Sequence, residues 1–224
     1  MSTIKKERDM SMRLMFIVLP ILIIGLPLNI YAQDMDEESM EGTSLTDKMW
    51  VGVNVGMSEP LGDPGTGGSF ATGFAFKAFA QYDLSDKVKN LRVELSVGFS
   101  SWSDKAEGST GSASVIPILV NGVYKLTDIT SDISVFGYGG IGFNLHSWDT
   151  GVEGFNIVSQ SNLGVNLGIG GSYSINPQMD LNLRVGYYLS FTSSLELEGF
   201  DTSDTDPDYG HAELPIMLGI TYKL

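Results

Sequence analysis

The sequence predicts an all-β chain folded as an eight-stranded antiparallel up-and-down transmembrane β-barrel. Three observations predict it. Apolar and polar residues alternate through about eight segments of roughly strand length. An export leader precedes them, and no second apolar run long enough for a membrane helix follows. The connections between segments are alternately short and long. The clearest segment, residues 91–99, reads L-R-V-E-L-S-V-G-F. Side chains alternate across a strand with period two. Leu91, Val93, Leu95, Val97 and Phe99 therefore share one face, and Arg92, Glu94, Ser96 and Gly98 share the other.

The leader occupies residues 1–32. Lys5, Lys6, Arg8 and Arg13 form a basic start, an apolar run covers residues 14–30, and Ala32 is a small residue at the expected cleavage point before Gln33. Pro20 and Pro27 interrupt the run, which is short for a spanning helix. A cleaved signal peptide is the expectation. With no cysteine in the chain, lipid attachment and disulfides are both excluded. Without residues 1–32 the chain keeps 9 basic and 25 acidic residues, a formal charge of −16. Such a balance argues against nucleic acid as a partner, because phosphate binding needs clustered Lys and Arg. Residues 33–48 (QDMDEESMEGTSLTDK) are acidic and lack apolar periodicity, and read as a flexible periplasmic tail.

The barrel is expected over residues 49–224. Its first segment alternates Val51, Val53 and Val55 with Gly52, Asn54 and Gly56; Trp50 has the wrong parity for that apolar face. The second sets Phe74, Phe76, Ala78, Ala80 and Tyr82 against Lys77, Phe79 and Gln81. After residues 91–99, the fourth sets Ile116, Ile118, Val120 and Tyr124 against Leu119, Asn121 and Lys125. The fifth, residues 133–145, is rich in glycine and its phase is open. The sixth sets Leu163, Val165, Leu167, Ile169 and Tyr173 against Asn162, Asn166 and Ser172. The seventh sets Leu181, Leu183, Val185, Tyr187 and Leu189 against Asn182, Arg184 and Tyr188. The last sets Leu214, Ile216, Leu218, Ile220, Tyr222 and Leu224 against Glu213, Met217 and Thr221.

Composition decides which face is outside. A soluble ligand-carrying barrel has an apolar interior and a charged exterior. Here the polar face is mostly Gly, Asn and Ser, suited to a crowded hydrogen-bonded lumen, and the continuous Leu/Val/Ile/Phe face suits lipid. Hydrocarbon also demands a closed sheet without free edges. Tyr82, Tyr124, Tyr173 and Tyr222 fall near the ends of alternate strands, and Phe74, Phe99, Phe143 and Phe191 fall toward the other end. Two aromatic girdles at the membrane interfaces are expected from that spacing. Connections at the tyrosine rim are short (84–90, 127–132, 176–178); those at the phenylalanine rim (58–71, 101–114, 146–160, 193–210) are longer, as for outer loops.

The alternation, the leader and the ending G-I-T-Y-K-L resemble the small outer-membrane β-barrel family, of the OmpX or OmpA-barrel type, over nearly all of residues 49–224. The family's last strand carries an insertion signal, a role the resemblance implies for Ile220, Tyr222 and Leu224, with Leu224 in place of the usual aromatic. It also implies the bacterial outer membrane as location, outer-membrane lipid, lipopolysaccharide and the barrel-assembly machinery as partners, and a monomer. Residues 116–126 and 214–224 match at five of eleven positions, as two strands in equivalent environments would.

Six charges are expected in the lumen: Lys77, Arg92 and Arg184 facing Glu94, Asp180 and Glu213. Buried charges are costly unless paired, and an eight-stranded barrel is just wide enough for side chains to fill. A paired interior network is the expectation; a proton or ion path is the alternative. Lipid A deacylases resemble the fold and use Ser, His and Glu. This chain's His146 and His211 are expected among the loop-rim residues, and Ser147 points away from His146, so no catalytic residues are assigned. Asp204, Asp206 and Asp208 are spaced as in a calcium loop, but Pro207 and the absence of a closing Glu break the motif; weak divalent binding is the most they suggest, and no metal or other cofactor is expected. The expected function is non-catalytic: envelope structure or surface interaction through extracellular loops, with transport of small or apolar solutes in an OmpW-like manner as the runner-up and lipid modification third.

Overall fold

A computed structural model describes residues 45–61, 70–105, 111–149, 156–157, 161–191 and 211–224. The leader, residues 33–44 of the tail and the aspartates at 204, 206 and 208 lie outside the described residues. Leu45–Lys48, expected within the tail, form one turn of 3-10 helix. Its Lys48 pairs with Asp86 of the first short turn at 3.0 Å.

Among the described residues nine strands follow: β1 (Met49–Pro60), β2 (Gly73–Asp83), β3 (Leu91–Ser103), β4 (Ser112–Asp128), β5 (Ile133–Asp149), β6 (Asn156–Ile157), β7 (Ser161–Asn176), β8 (Met179–Ser190) and β9 (His211–Lys223). Eight of them form a closed, wholly antiparallel ring. Each pairs with its chain neighbours, β5 reaches past β6 to β7, and β1 closes against β9. The two-residue β6 only caps the end of β5, through Trp148↔Ile157 and Asp149↔Asn156. Among the eight ring strands closure leaves no edge with unpaired N–H and C=O groups, the condition for crossing hydrocarbon.

Alternation dictates the two faces. One outward residue from each long strand (Val53, Phe74, Leu95, Val120, Ile141, Leu167, Leu183, Leu218) is exposed, and together they encircle the barrel. Such a belt is untenable in water, where monomers rarely expose contiguous apolar patches beyond a few hundred Å². Most inward residues of the same strands are buried, and those near the short-turn mouth, such as Trp50, Arg92 and Ser172, are half-buried. In β5 even numbers face in and odd numbers out: Phe136, Tyr138, Asn144 and His146 are buried, whereas Ile141 and Phe143 are exposed. That fixes the phase its glycines left open in the sequence. β5 also runs beyond residue 145, because Val115, Ser114, Ala113 and Ser112 of β4 pair with His146 to Asp149. His146 is therefore a lumen residue within a ladder, and His211 begins β9. The loop-rim position expected for His146 is corrected accordingly, whereas His211 lies at that rim as the first residue of its strand.

The short turns are held by side-chain hydrogen bonds. Asp83 Oδ1 accepts from Ser85 N at 2.8 Å, and Asn176 Oδ1 accepts from Gln178 N at 2.9 Å. Thr130 Oγ1 accepts from Ile133 N at 3.1 Å. Such local bonds are why Asn, Asp and Thr favour turns. Asn90, with φ of 67°, is the one non-glycine in the left-handed region among the described residues, and asparagine tolerates it. Two register shifts, at Lys125/Thr127 and Ser174/Asn176, lie at this same rim. Leu224 N donates to Met49 O at 3.0 Å, so both ends of the barrel chain meet there as well.

Candidate functional site

The lumen is built in layers from inward side chains. At its centre Glu94 of β3 is fully buried. Its carboxylate accepts from Arg184 Nη2 at 2.9 Å and Nη1 at 3.2 Å, Gln81 Nε2 at 2.7 Å and Asn121 Nδ2 at 3.1 Å, and Lys77 Nζ lies 2.6 Å away. Donors thus converge from β2, β4 and β8, and Arg184 spans the lumen to do so. Three aromatic rings surround the cations. Arg184 Cζ lies 4.5 Å from the Phe79 ring centre, 5.2 Å from Phe136 and 5.3 Å from Tyr138; Lys77 Nζ lies 5.3 Å from Tyr138. Cation–π contact and charge-assisted hydrogen bonds together offset part of the desolvation of three buried charges.

Room for these rings comes from glycine on neighbouring strands. A Cβ at Gly186 would meet Tyr138 Oη at 2.5 Å and Tyr188 Cε2 at 3.0 Å; one at Gly170 would run into the Phe136 ring. The inward glycines are the counterpart of the bulky residues, which is how a narrow barrel is filled.

Toward the short-turn rim the lumen widens into a vestibule of about 580 Å³, lined by Trp50, Arg92, Asp180, Asn182, Phe136 and Arg184 among others. Trp50 now has a place: it turns inward at the mouth, and the Arg92 guanidinium stacks 4.3 Å from its ring centre. Arg92 Nε also lies 4.0 Å from Asp83. Asp180 accepts from Ser174 Oγ at 2.8 Å. Lys77, Glu94 and Arg184 meet directly at the centre. Arg92 and Asp180 sit at the mouth, two and four residues before Glu94 and Arg184 on their own strands, and Arg92 Nη1 reaches the centre through Gln81 Oε1 at 3.5 Å.

Glu213 lies on the other side of the centre. Ser58 Oγ donates to it at 2.5 Å and Ser100 is also hydrogen-bonded to it. Beyond it, Trp102 Nε1 donates to Ser58 O at 3.0 Å and its ring lies 4.8 Å from that of His211. The His146 and His211 rings are 5.5 Å apart. His146 Nε2 lies 2.9 Å from Ser190 Oγ, which Asn144 Nδ2 also contacts. A nucleophile and base require this distance, but they also require a group orienting the base. Among the described residues no carboxylate contacts His146, and Ser190 is held between two buried side chains. Ser147, its sequence neighbour, is exposed on the outer face.

The aromatic residues singled out in the sequence face outward. Tyr124, Tyr173 and Tyr222 are exposed near the short-turn rim, and Tyr82 there is half-buried. Phe74, Phe143 and Phe191 are exposed and Phe99 half-buried toward the long-loop end, though β5 continues six residues past Phe143. Ile220, Tyr222 and Leu224 share the outward face of the closing strand. Gln81, Asn121 and the ring set Phe79, Phe136 and Tyr138 were not assigned to any site from the sequence. Inward parity was the available signal, and it does not say which inward residues meet.

A closed ring with an apolar belt outside and a filled, ion-paired lumen defines an integral membrane β-barrel. The outer membrane protein beta-barrel domain family matches residues 29–217, and the chain belongs to that family of bacterial outer-membrane barrels. The fold is similar to that of Neisserial surface protein A, with 20% identity, a TM-score of 0.52, and coverage of 79% of this chain and 97% of that one. It is also similar to the outer membrane protein OprG from Pseudomonas aeruginosa, with 14% identity, a TM-score of 0.51, and coverage of 81% and 99%. No curated protein matches the chain in sequence.

Proposed function

We propose that the barrel is a closed, non-catalytic outer-membrane anchor that acts through the loops at its long-loop rim. The observation that carries this reading is the central layer. Glu94, Lys77 and Arg184, packed with Phe79, Phe136 and Tyr138, fill the cross-section and end the vestibule. An ion crossing that layer has to displace a buried carboxylate from its donors, and breaking one such pair costs about 3–5 kcal/mol. The rim opposite the chain ends is taken as the outer surface, since outer-membrane barrels pair short periplasmic turns with long extracellular loops.

Charge indicates what such loops attract. Between Phe191 and His211 the chain holds Glu196, Glu198, Asp201, Asp204, Asp206 and Asp208 and no Lys or Arg. A surface of that sign favours cationic partners, or divalent ions bridging to lipopolysaccharide phosphates, and repels polyanions. Purified protein in planar bilayers should give a silent baseline; reproducible single-channel steps would overturn the closed-barrel reading in favour of solute transport. Proteoliposomes should adhere to polylysine-coated but not heparin-coated surfaces. Equal adhesion after the six acidic residues are made neutral would overturn the loop assignment.

A further inference from the structure

The mouth of the lumen repeats the central ion pair with its signs exchanged, but leaves it open. At the centre β3 supplies the carboxylate of Glu94 and β8 the guanidinium of Arg184. At the mouth β3 supplies the guanidinium of Arg92 and β8 the carboxylate of Asp180. These two strands face each other across the barrel, four places apart in either direction round the ring of eight. The central side chains meet at 2.9 Å. At the mouth no ion pair joins Arg92 to Asp180 among the described residues, although Asp180 is near enough for its charge to act on Arg92. The vestibule of about 580 Å³ lies there, and both residues line it.

Each group is held in place with hydrogen-bonding capacity to spare. Arg92 is oriented by its stack on Trp50, and its polar contacts are long, 3.5 Å to Gln81 and 4.0 Å to Asp83. A guanidinium carries five N–H donors in a planar fork that matches a carboxylate. Asp180 accepts from Ser174 Oγ at 2.8 Å and has no cation within ion-pair distance among the described residues. Asp132 of the adjoining turn, whose carbonyl accepts from Ser174 N at 2.8 Å, adds a second carboxylate to the lining beside Ser174. The other cations of the lining are committed, Lys125 to Asp128 at 3.0 Å and Arg184 to Glu94.

We propose that the vestibule binds a small zwitterion, a free amino acid or a short peptide, with its carboxylate on Arg92 and its ammonium on Asp180. The ligand completes at the mouth the pairing that side chains complete unaided at the centre. The volume falls within the roughly 300–1,000 Å³ of small-molecule sites, and Trp50 and Phe136 supply apolar wall between the charges. Entry and exit are by the short-turn rim. No passage through the central layer is needed, so conductance and ligand binding are separate tests.

Titration of the full chain, refolded in detergent micelles at neutral pH, tests the site through the Trp50 indole N–H resonance, with Trp102 toward the other rim as control. Diglycine should shift the Trp50 signal saturably and leave that of Trp102 in place. N-acetyl-diglycine lacks the ammonium and diglycine amide lacks the carboxylate. Each should bind about ten- to hundredfold more weakly, the loss of one charge-assisted contact. Asp180→Asn should erase only the preference for the free amine, and Arg92→Gln only that for the free carboxylate. Glycine in a parallel titration distinguishes a free amino acid from a peptide. Equal binding of the capped and free forms overturns the proposal, as does the absence of a Trp50 shift with both zwitterions. Preferences that survive the two substitutions overturn the assignment to Arg92 and Asp180. Should a variant fail to fold, the capped ligands on the wild-type chain decide.

Discussion

Lys77 Nζ and Glu94 Oε1 are 2.6 Å apart at the centre of the lumen, with the two side chains 4% and 0% exposed. Their Cα positions are not partners across the β2–β3 ladder: Lys77 faces Gly98, and Glu94 faces Gln81. The lysine therefore reaches along the lumen to a carboxylate several rungs away, and the space over Gly98 on its own rung is taken by Pro117. Replacing Glu94 with Gln removes the negative charge that Lys77 and Arg184 share and leaves two buried cations facing a neutral amide. The expected loss is about 3–5 kcal/mol, read from urea unfolding in detergent micelles by tryptophan fluorescence and heat-modifiable gel migration. Lys77→Met should cost less, because Glu94 keeps Arg184, Gln81 and Asn121. Equal stability of Glu94→Gln and wild type would remove the central layer from the account of stability.

The packing of Gly186 against Tyr138 gives a reciprocal test. A methyl at position 186 meets Tyr138 Oη at 2.5 Å, and that hydroxyl has no hydrogen-bond partner among the described residues. Gly186→Ala should destabilise the barrel by about 1–3 kcal/mol through overpacking. Tyr138→Phe, which removes only the oxygen, should restore most of it, with a coupling energy of about 0.5–3 kcal/mol in a double-mutant cycle. Additive effects of the two changes would show that Tyr138 does not occupy the space above Gly186.

Leu95 and Leu126 are 58% and 54% exposed, yet they sit at different depths. Leu95 pairs with Ala80 and Val120 in mid-strand, whereas Leu126 sits at the register shift beside the short turn. Arginine at a mid-bilayer position costs about 2–4 kcal/mol, falling to about 0–1 near the interface. Leu95→Arg should therefore be far more damaging than Leu126→Arg when refolding is measured in lipid vesicles. Equal penalties at the two sites would contradict the placement of the apolar belt across the bilayer.

The pair Lys48–Asp86 should make the start of β1 sensitive to pH. The hydrogen bond from Lys48 holds the Asp86 carboxyl below its ordinary value of 3.8, and the same bond raises the Lys48 ammonium above its ordinary 10.5. The carboxylate's contribution is present above 3.8 and is lost as pH falls through the lowered value. That of the ammonium is present below 10.5 and is lost as pH rises through the raised value. Between those limits the 3-10 turn should stay tied to the first short turn, and it should loosen on either side. Hydrogen exchange at Met49 and Trp50 in wild type and Asp86→Asn measures this. The variant should exchange faster at neutral pH and show no acid step; an unchanged rate would rule out the tie.

Face and turn were readable from the chain because each depends on local chemistry. Period two places Leu95 outside and Glu94 inside whatever the rest of the barrel does, and Asn176-Pro177-Gln178 turns by its own side-chain bond. Meetings across the lumen depend instead on stagger, which no single strand carries. Arg92 and Arg184 are both inward cations, yet one stacks on Trp50 at the mouth and the other crosses to Glu94. His146 and Ser190 are separated by the whole of β7, and only the combined offsets of two ladders bring them to 2.9 Å. The inward parity of Trp50 was the visible trace of the mouth layer, and it could not be interpreted without Arg92 beside it.

The seam between β1 and β9 pairs Trp50 with Lys223 and Pro60 with Glu213, joining the two ends of the described barrel chain. Every other long strand finds its partner next along the chain or, for β5 and β7, one short strand away. This last ladder alone spans the full sequence separation. Loop-closure entropy makes such a contact slow to form, so β1 keeps one open edge until residues 211–224 arrive. Ring closure is then the contact that chain entropy delays most, and until it forms β1 and β9 each present an unpaired edge.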